Sequence, residues 1–127
     1  TPFEHRSYGQ ELALCQRYYQ RYVTNGYVYG RFAICENRAT NKSQAMFDFG
    51  QAMRAVPTLQ TTGTASDYAL YHSQAIIAAT VLVYDTNPTA RVASIQVSVS
   101  SGLLDGGASQ FMANNNASSY IAFDAEL

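Results

Sequence analysis

Residues 30–49, GRFAICENRATNKSQAMFDF, decide the fold of this chain. Apolar side chains recur with a period of two in both halves of the stretch: Phe32 and Ile34, then Ala45, Phe47 and Phe49. Residues 37–43 between them carry no large apolar side chain. A period of two is typical of half-buried strands, and a polar stretch between two such runs is typical of a hairpin loop. The segment therefore predicts an antiparallel hairpin of residues 30–36 and 44–49.

Further strands are predicted on both sides of this hairpin. The stretches are residues 53–59, 68–71, 74–84, 91–99, 110–113 and 120–127. Pro57 cannot donate to a ladder, so its strand is predicted at an edge or a bulge. The run 74–84 is the most apolar, and its β-branched residues favour a central strand buried on both faces, with a helix as the alternative. About eight short strands that do not alternate with helices predict a mainly β fold, an antiparallel β-sandwich of jelly-roll type.

One segment has a helical period. Five side chains recur at steps of four and three residues: Tyr8, Leu12, Cys15, Tyr19 and Tyr22. Ser7 and Gln10 form a capping-box pattern, and Gly26 is a C-terminal stop signal. We therefore expect residues 1–26 to form a linker and a helix whose stripe docks on the sheet. Residues 27–127 are expected to form the β-sandwich of the same structural domain.

Charge and cysteine content limit the partners of the chain. Charged residues make up 13% of the 127 residues, and the net charge is −1 with eight scattered Lys and Arg. This balance argues against a nucleic-acid partner, which needs a basic face. No stretch approaches the roughly 20 apolar residues of a membrane span, so membrane insertion is not expected. Cys15 and Cys35 are predicted to be free, buried thiols, although a bond between them stays open.

No pattern for catalysis, cofactors or metals is apparent. The two histidines, His5 and His72, are far apart in the chain, and there is no Gly-x-Ser-x-Gly elbow. The prediction is a protein without enzymatic activity, cofactor or metal. A small polysaccharide hydrolase that uses Asp67, Asp85 or Asp105 is a less favoured alternative. Calcium between Asp105 and residues 114–116 is also less favoured than a solvated loop.

Tyrosine is abundant, with ten residues and no Trp. Tyrosine rings with a polar tip stack on sugars and also serve in protein interfaces. Seven residues are predicted to contact a ligand or another subunit: Tyr27, Tyr29, Tyr68, Tyr71, Tyr84, Asp105 and Asn115. The choice between a glycan and a subunit stays open at this point.

Three segments resemble bacteriophage structural proteins. Residues 2–19, PFEHRSYGQELALCQRYY, resemble a segment that recurs in tail-fibre and virion proteins of marine and cyanobacterial phages. There it opens a C-terminal domain. Residues 53–58, MRAVPT, resemble the Met-Arg-x-x-Pro-Thr motif of the same proteins, and residues 124–127, DAEL, resemble their chain end.

The resemblance implies a place in the virion and a structural or attachment role. It implies the C-terminal module of a longer protein, an expectation that also fits a chain beginning with Thr1. It further implies a homotrimer in contact with other virion proteins, in a tail fibre or appendage, with a host cell-surface glycan as ligand. A capsid-decorating protein without a receptor role is the alternative. The family supplies no catalytic residue to carry over.

Overall fold

The computed structural model describes residues 7–125, which contain one α-helix and ten β-strands. Their bounds are α1 Tyr8–Gln16, β1 Tyr19–Val23, β2 Arg31–Ala39, β3 Lys42–Asp48, β4 Thr58–Gln60, β5 Tyr68–His72, β6 Ala75–Ala78, β7 Val81–Tyr84, β8 Val92–Ser98, β9 Ala108–Ala113 and β10 Tyr120–Asp124. A 3₁₀ turn, Ala65–Asp67, precedes β5. The predicted strand end at Glu126 and Leu127 lies outside the described residues.

Two antiparallel sheets form the fold. The larger sheet has the order β6-β5-β9-β2-β3-β8-β7, and the smaller sheet has the order β1-β10-β4. The prediction of a mainly β fold is confirmed, because the larger sheet curls and the smaller one joins it in a jelly-roll-like β-sandwich with one N-terminal helix. No helix within residues 7–125 is long and apolar enough to cross a membrane.

Aromatic side chains fill the core. The ring centroid of Phe47 on β3 lies 6.3 Å from that of Phe111 on β9 and 5.4 Å from that of Phe123 on β10. All three residues are buried. Tilted and edge-to-face pairs at these separations stabilise a core beyond simple burial of apolar area. Because Phe123 belongs to the smaller sheet, these contacts fasten the two sheets together.

The hairpin prediction is confirmed, but its strands are longer than predicted. β2 and β3 pair from Cys35 opposite Ala45 to Ala39 opposite Lys42. A register shift in the pairing of β2 with β9, between Arg31 and Ala33, interrupts the alternation of faces. Phe32 therefore packs against the core while Ile34, two residues on, lies on the outer face and Cys35 is buried.

The helix is shorter than predicted and ends at Gln16. The capping box of Ser7 and Gln10 is present, with the Gln10 amide donating to Ser7 Oγ at 3.2 Å. Residues 19–23, predicted to be helical, form β1 because β10 offers them a ladder of five paired residues. Tyr22 then joins the core instead of a helical stripe.

The prediction that a stripe of this helix docks on the sheet is wrong as well. No residue of α1 is buried, and Tyr8 is 82% exposed. The helix contacts the domain at β1. Cys15 on this helix is exposed, in contrast to the predicted burial, whereas Cys35 is buried. Both thiols are free, as predicted.

The prediction of one central strand at residues 74–84 is wrong. This run forms β6 and β7, which lie at opposite edges of the seven-stranded sheet. Between them, the Ala79 amide donates to Tyr68 O at 3.0 Å and the Thr80 amide donates to Ser98 O at 2.8 Å. Two residues thus connect the two edges, which requires the sheet to curl almost onto itself. β-Branched residues favour extended backbone in central and in edge strands alike, so their abundance does not indicate how deeply a strand is buried.

The edge prediction for Pro57 is confirmed in outline. Pro57 immediately precedes β4, which is a three-residue edge strand of the smaller sheet. Proline is tolerated there because no neighbouring strand requires its missing N–H.

Candidate functional site

The connection between β1 and β2 is a compact loop, residues 24–30. The amide of Gly30 donates to Tyr27 O, and the amide of Tyr27 donates to Thr24 O, both at 3.2 Å. Thr24 Oγ1 donates to Ala117 O at 2.6 Å, which ties the loop to the turn before β10. Hydrogen bonds at both ends therefore fix the loop on the domain.

Gly30 packs closely against Thr24, and this contact further fixes the loop. A Cβ atom at Gly30 would lie 2.7 Å from the Thr24 Cβ and 2.8 Å from the Thr24 Cα. Such distances are far inside van der Waals contact, so only glycine allows this approach. The loop conformation thus depends on a residue that presents no side chain of its own.

The loop displays tyrosine rings to solvent. Tyr27 is 73% exposed and Tyr29 is 39% exposed. Residues 27–31 line an open, mainly apolar cavity of about 380 Å³. The hydroxyl groups of these two tyrosines make no hydrogen bond within residues 7–125. They remain available to a ligand or another subunit.

Arg31 at the start of β2 is fixed in three ways. Its Nη1 donates to Tyr29 O at 2.6 Å, and its Nε donates to Gln110 Oε1 at 2.8 Å. Its guanidinium lies over the Tyr71 ring, 5.1 Å from the ring centroid. Gln110 is paired with Tyr71 across β9 and β5, which aligns these two contacts. We refer to Tyr27, Tyr29, Arg31 and Tyr71 as the tyrosine–arginine surface.

Asn115 lies beside this surface. The next residue, Asn116, donates its amide to Val28 O at 2.9 Å, which fastens the turn to the loop. Asn115 itself is exposed and has a left-handed backbone with φ of 51°. Three of the predicted contact residues, Tyr27, Tyr29 and Asn115, therefore lie near one end of the larger sheet, and Arg31 connects them to a fourth, Tyr71.

Tyr68 does not belong to this surface, and its predicted contact role is wrong. The residue is fully buried, and its hydroxyl donates to Tyr120 O and accepts from the Thr62 amide at 3.1 Å. Its ring is stacked on Phe111 with centroids 5.7 Å apart. Tyr68 is a core residue that connects the two sheets.

Tyr84 is also engaged within the fold. Its hydroxyl donates to Pro57 O at 2.9 Å, and its ring centroid lies 6.2 Å from that of Phe123. Burial raises the pKa of Tyr84 above its ordinary value. The ring is half-buried and its hydroxyl is already bonded, so Tyr84 lies apart from the tyrosine–arginine surface, and its contact role stays a prediction.

Asp105 lies at the opposite end of β9 from the Asn115 turn. The strand of six residues between them spans about 20 Å. The less favoured calcium site between Asp105 and residues 114–116 is therefore ruled out by distance. Residues 7–125 contain no group of three or more His, Cys, Asp or Glu side chains that could hold a metal ion.

A second surface feature lies on the outer face of the larger sheet. Ile34 is 75% exposed and Met46 is 61% exposed, although both lie in strands. They are one position beyond the Cys35–Ala45 pair, so they are neighbours across β2 and β3. Nine residues line a groove of about 480 Å³ here, and we call it the outer-sheet groove: Ile34, Cys35, Glu36, Arg38, Gln44, Met46, Gly106, Gly107 and Ala108.

Polar side chains border this groove. Arg38 Nη1 donates to Gln44 Oε1 at 2.8 Å. Gln44 in turn donates to Asp85, and Ser94 Oγ donates to the same Asp85 carboxylate oxygen at 3.0 Å. Asp85 is thus a hydrogen-bond acceptor within the sheet surface. Asp67, the other bonded carboxylate of the hydrolase alternative, accepts from Thr62 Oγ1 at 2.6 Å.

His72, Asn37 and Ser109 form a buried polar cluster that the sequence did not reveal. Ser109 Oγ donates to Asn37 Oδ1 at 2.6 Å. The Leu104 amide donates to His72 Nε2 at 3.1 Å, so His72 carries its proton on Nδ1 and donates to Ala108 O at 2.9 Å. Both ring nitrogens of His72 therefore have hydrogen-bond partners, and the Ser109 hydroxyl donates its proton to the amide oxygen of Asn37.

This cluster has no nucleophile–base pair, because His72 Nδ1 faces Ser109 as a donor. Its role is to hold the loop of residues 103–107. Asn37 Nδ2 donates to Leu104 O at 3.0 Å, and the Asn37 backbone bonds both Gly106 and Gly107. The same loop supplies two glycines to the outer-sheet groove.

Sequence reasoning missed Arg31, Gln110, Ile34 and Met46 as surface residues. The stretch of residues 27–31 was a visible signal, because two tyrosines and a glycine come directly before the arginine. Gln110 had no such signal, since it reaches Arg31 only through the β2–β9 pairing of residues 79 positions apart. The outward direction of Ile34 depends on the register shift in β2.

Comparisons with known proteins found no similarity. No protein-family model matches the chain, and no curated protein or solved structure is significantly similar to it.

Proposed function

We propose that this chain is a non-enzymatic structural module of a bacteriophage virion, in a tail fibre or appendage. In this role it assembles with copies of itself and carries a contact surface for the host. The resemblance of residues 2–19 to phage virion proteins supports the location. The exposed apolar side chains of the outer-sheet groove support the assembly.

The outer-sheet groove is the observation that carries the assembly role. Exposed apolar residues that occur singly are ordinary, but Ile34 and Met46 are adjacent on neighbouring strands and line one depression. Burying a side chain of this size contributes about 1.5–3 kcal/mol. A surface with few charges leaves little electrostatic repulsion to oppose such contact.

The occupant we propose is a second copy of this chain. Glu36 and Arg38 follow Ile34 on the outer face of β2, so the groove holds both signs of charge. In a threefold ring every contact is heterologous, so this groove, with both signs of charge beside its apolar side chains, would pack against a different surface of the neighbouring copy. Trimeric assembly follows the threefold symmetry of the fibres that the chain resembles.

Light scattering on the purified chain at micromolar concentration tests this proposal. We expect a trimer for the natural sequence and a monomer for a variant with both Ile34→Ser and Met46→Ser. Val56→Ser is the matched control, because Val56 is 55% exposed but lies outside the groove. A natural chain that remains monomeric would contradict the proposed assembly, as would a double variant that remains trimeric.

A further inference from the structure

We propose that the tyrosine–arginine surface binds a sugar that bears a carboxylate, such as a hexuronic acid residue in a cell-surface polysaccharide. This inference rests on the proposed attachment function and specifies its ligand. Tyr27 would stack on the apolar face of the sugar ring, and Arg31 would bind the carboxylate.

The remaining donors of Arg31 indicate an acidic ligand. A guanidinium has five N–H groups, and Arg31 uses one on Tyr29 O and one on Gln110. Three N–H groups remain, and no carboxylate of the described residues forms an ion pair with Arg31. Two parallel N–H groups match a carboxylate in a bidentate pair, which is stronger than a bond between neutral groups.

The position of Arg31 is set before any ligand arrives. Its stacking on Tyr71 and its two hydrogen bonds hold the guanidinium in one place. An ordered arginine loses less conformational entropy on binding than a free one does. The fixed loop of residues 24–30 confers the same advantage on Tyr27.

The cavity beside Arg31 accommodates a sugar ring. Its volume of about 380 Å³ lies within the range of about 300–1,000 Å³ that small-molecule sites occupy. Its lining by residues 27–31 is mainly apolar, which suits the carbon–hydrogen face of a pyranose. The exposed hydroxyls of Tyr27 and Tyr29 can bond the sugar hydroxyls at the rim.

Calorimetric titration of the full chain with two trisaccharides tests the inference. One probe is a trimer of glucuronic acid, and the other is a trimer of glucose with the same linkage. We expect the acidic trimer to bind at least tenfold more tightly, with a preference that weakens as the salt concentration rises.

Variants locate the preference at Arg31. Arg31→Gln should abolish the preference, and Arg31→Lys should reduce it because lysine lacks the planar fork. Arg54→Gln is the matched control, since the Arg54 guanidinium also lies over a tyrosine ring, 5.6 Å from the Tyr18 ring centroid, and Arg54 lies outside both surfaces. It should retain the full preference. Tyr27→Ala should weaken the binding of both trimers.

Three outcomes would overturn the inference. Equal binding of the two trimers would reject the carboxylate as the recognised group but leave glycan attachment standing. Binding of acetate as tightly as the acidic trimer would reject a sugar site. Binding of neither trimer would reject this ligand class, whereas the assembly role would still be judged by light scattering.

Discussion

Residues of the same type differ in burial in this protein, and Cys35 shows how burial changes the pKa of a side chain. The thiol is 2% exposed, and burial raises its pKa from 9.0 to about 12 despite hydrogen bonds with Ser43 and Phe111 that lower it. Burial also raises the pKa of Tyr22 and Tyr84. All three groups favour their neutral forms in the folded state.

These raised pKa values predict a loss of stability at high pH. The unfolded chain releases the Cys35 proton near pH 9, but the folded chain holds it up to about pH 12. Stability is therefore fully present below pH 9 and falls between pH 9 and 12. A shift of about three pKa units corresponds to roughly 4 kcal/mol at most.

Urea unfolding at a series of pH values measures this dependence. The midpoint should fall steadily above pH 9, and Cys35→Ala should show a smaller fall because only the tyrosines remain. Cys15→Ala is the control, since Cys15 is exposed. Identical profiles for Cys35→Ala and the natural chain would contradict the prediction.

Tyr68, which is buried, differs in the same way from tyrosines that are exposed. Tyr68→Phe removes a hydroxyl that bonds both Tyr120 O and the Thr62 amide. Leaving these partners without their bond should destabilise the fold by about 1–3 kcal/mol, measured by urea unfolding. Tyr27→Phe should change the stability by less than about 0.5 kcal/mol, because Tyr27 is largely exposed. Equal losses in the two variants would show that the bond of Tyr68 contributes nothing.

At the scale of elements, the available pairing partners determine whether a segment forms a helix or a strand and where a strand lies, where local sequence patterns fit more than one outcome. Residues 8–16 follow their helical period, whereas residues 19–23 abandon it for the ladder with β10. The hairpin of β2 and β3 was predictable because both strands and their loop are local. The positions of β6 and β7 were not, because an edge strand and a central strand carry similar β-branched residues.

The loop of residues 24–30 provides a test at this scale. Gly30→Ala places a Cβ 2.7 Å from the Thr24 Cβ, so the loop must shift. We expect a loss of about 1–3 kcal/mol in the free energy of unfolding and weaker binding of the acidic trimer. Gly50→Ala is the matched control, because its Cβ would meet nothing within 4 Å. Unchanged stability and binding in Gly30→Ala would contradict the close packing.

At the scale of the whole molecule, segments that are distant in the chain pair in both sheets. Arg31 is paired with Met112, and Tyr19 is paired with Asp124. Folding with such pairings requires the chain to close long loops, at a cost in conformational entropy, before the contacts form. The tyrosine–arginine surface also depends on such pairings, since it combines the loop of residues 24–30 with β2 and β5, and Gln110 of β9 holds Arg31 in place.

Slow folding should follow from these pairings. Refolding after dilution from urea should occur in milliseconds to seconds, as in β-sandwiches of similar size. Stopped-flow tyrosine fluorescence at concentrations below the assembly range measures this rate. A refolding time of microseconds would show that local contacts dominate instead.

The sequence predicted the class of the fold and half of the candidate site. Alternation identified the strands, and exposure of Tyr27 and Tyr29 agrees with their position in a glycine-containing loop. Tyr68 was misassigned because a tyrosine in a strand has the same local pattern whether its face is buried or exposed. Arg31 acquires its role only when Gln110 and Tyr71 arrive from distant strands.

The pairing of β1 with β10 has a mechanical consequence. Tyr19 faces Asp124, and the Ala125 amide donates to Tyr18 O at 2.7 Å, so residues 18 and 125 lie side by side at one end of the β1–β10 ladder. A pulling force applied through residues 18 and 125 would load these hydrogen bonds one after another. Such a domain opens like a zipper at low force. In the proposed fibre, such a domain would withstand tension only where neighbouring subunits share the load.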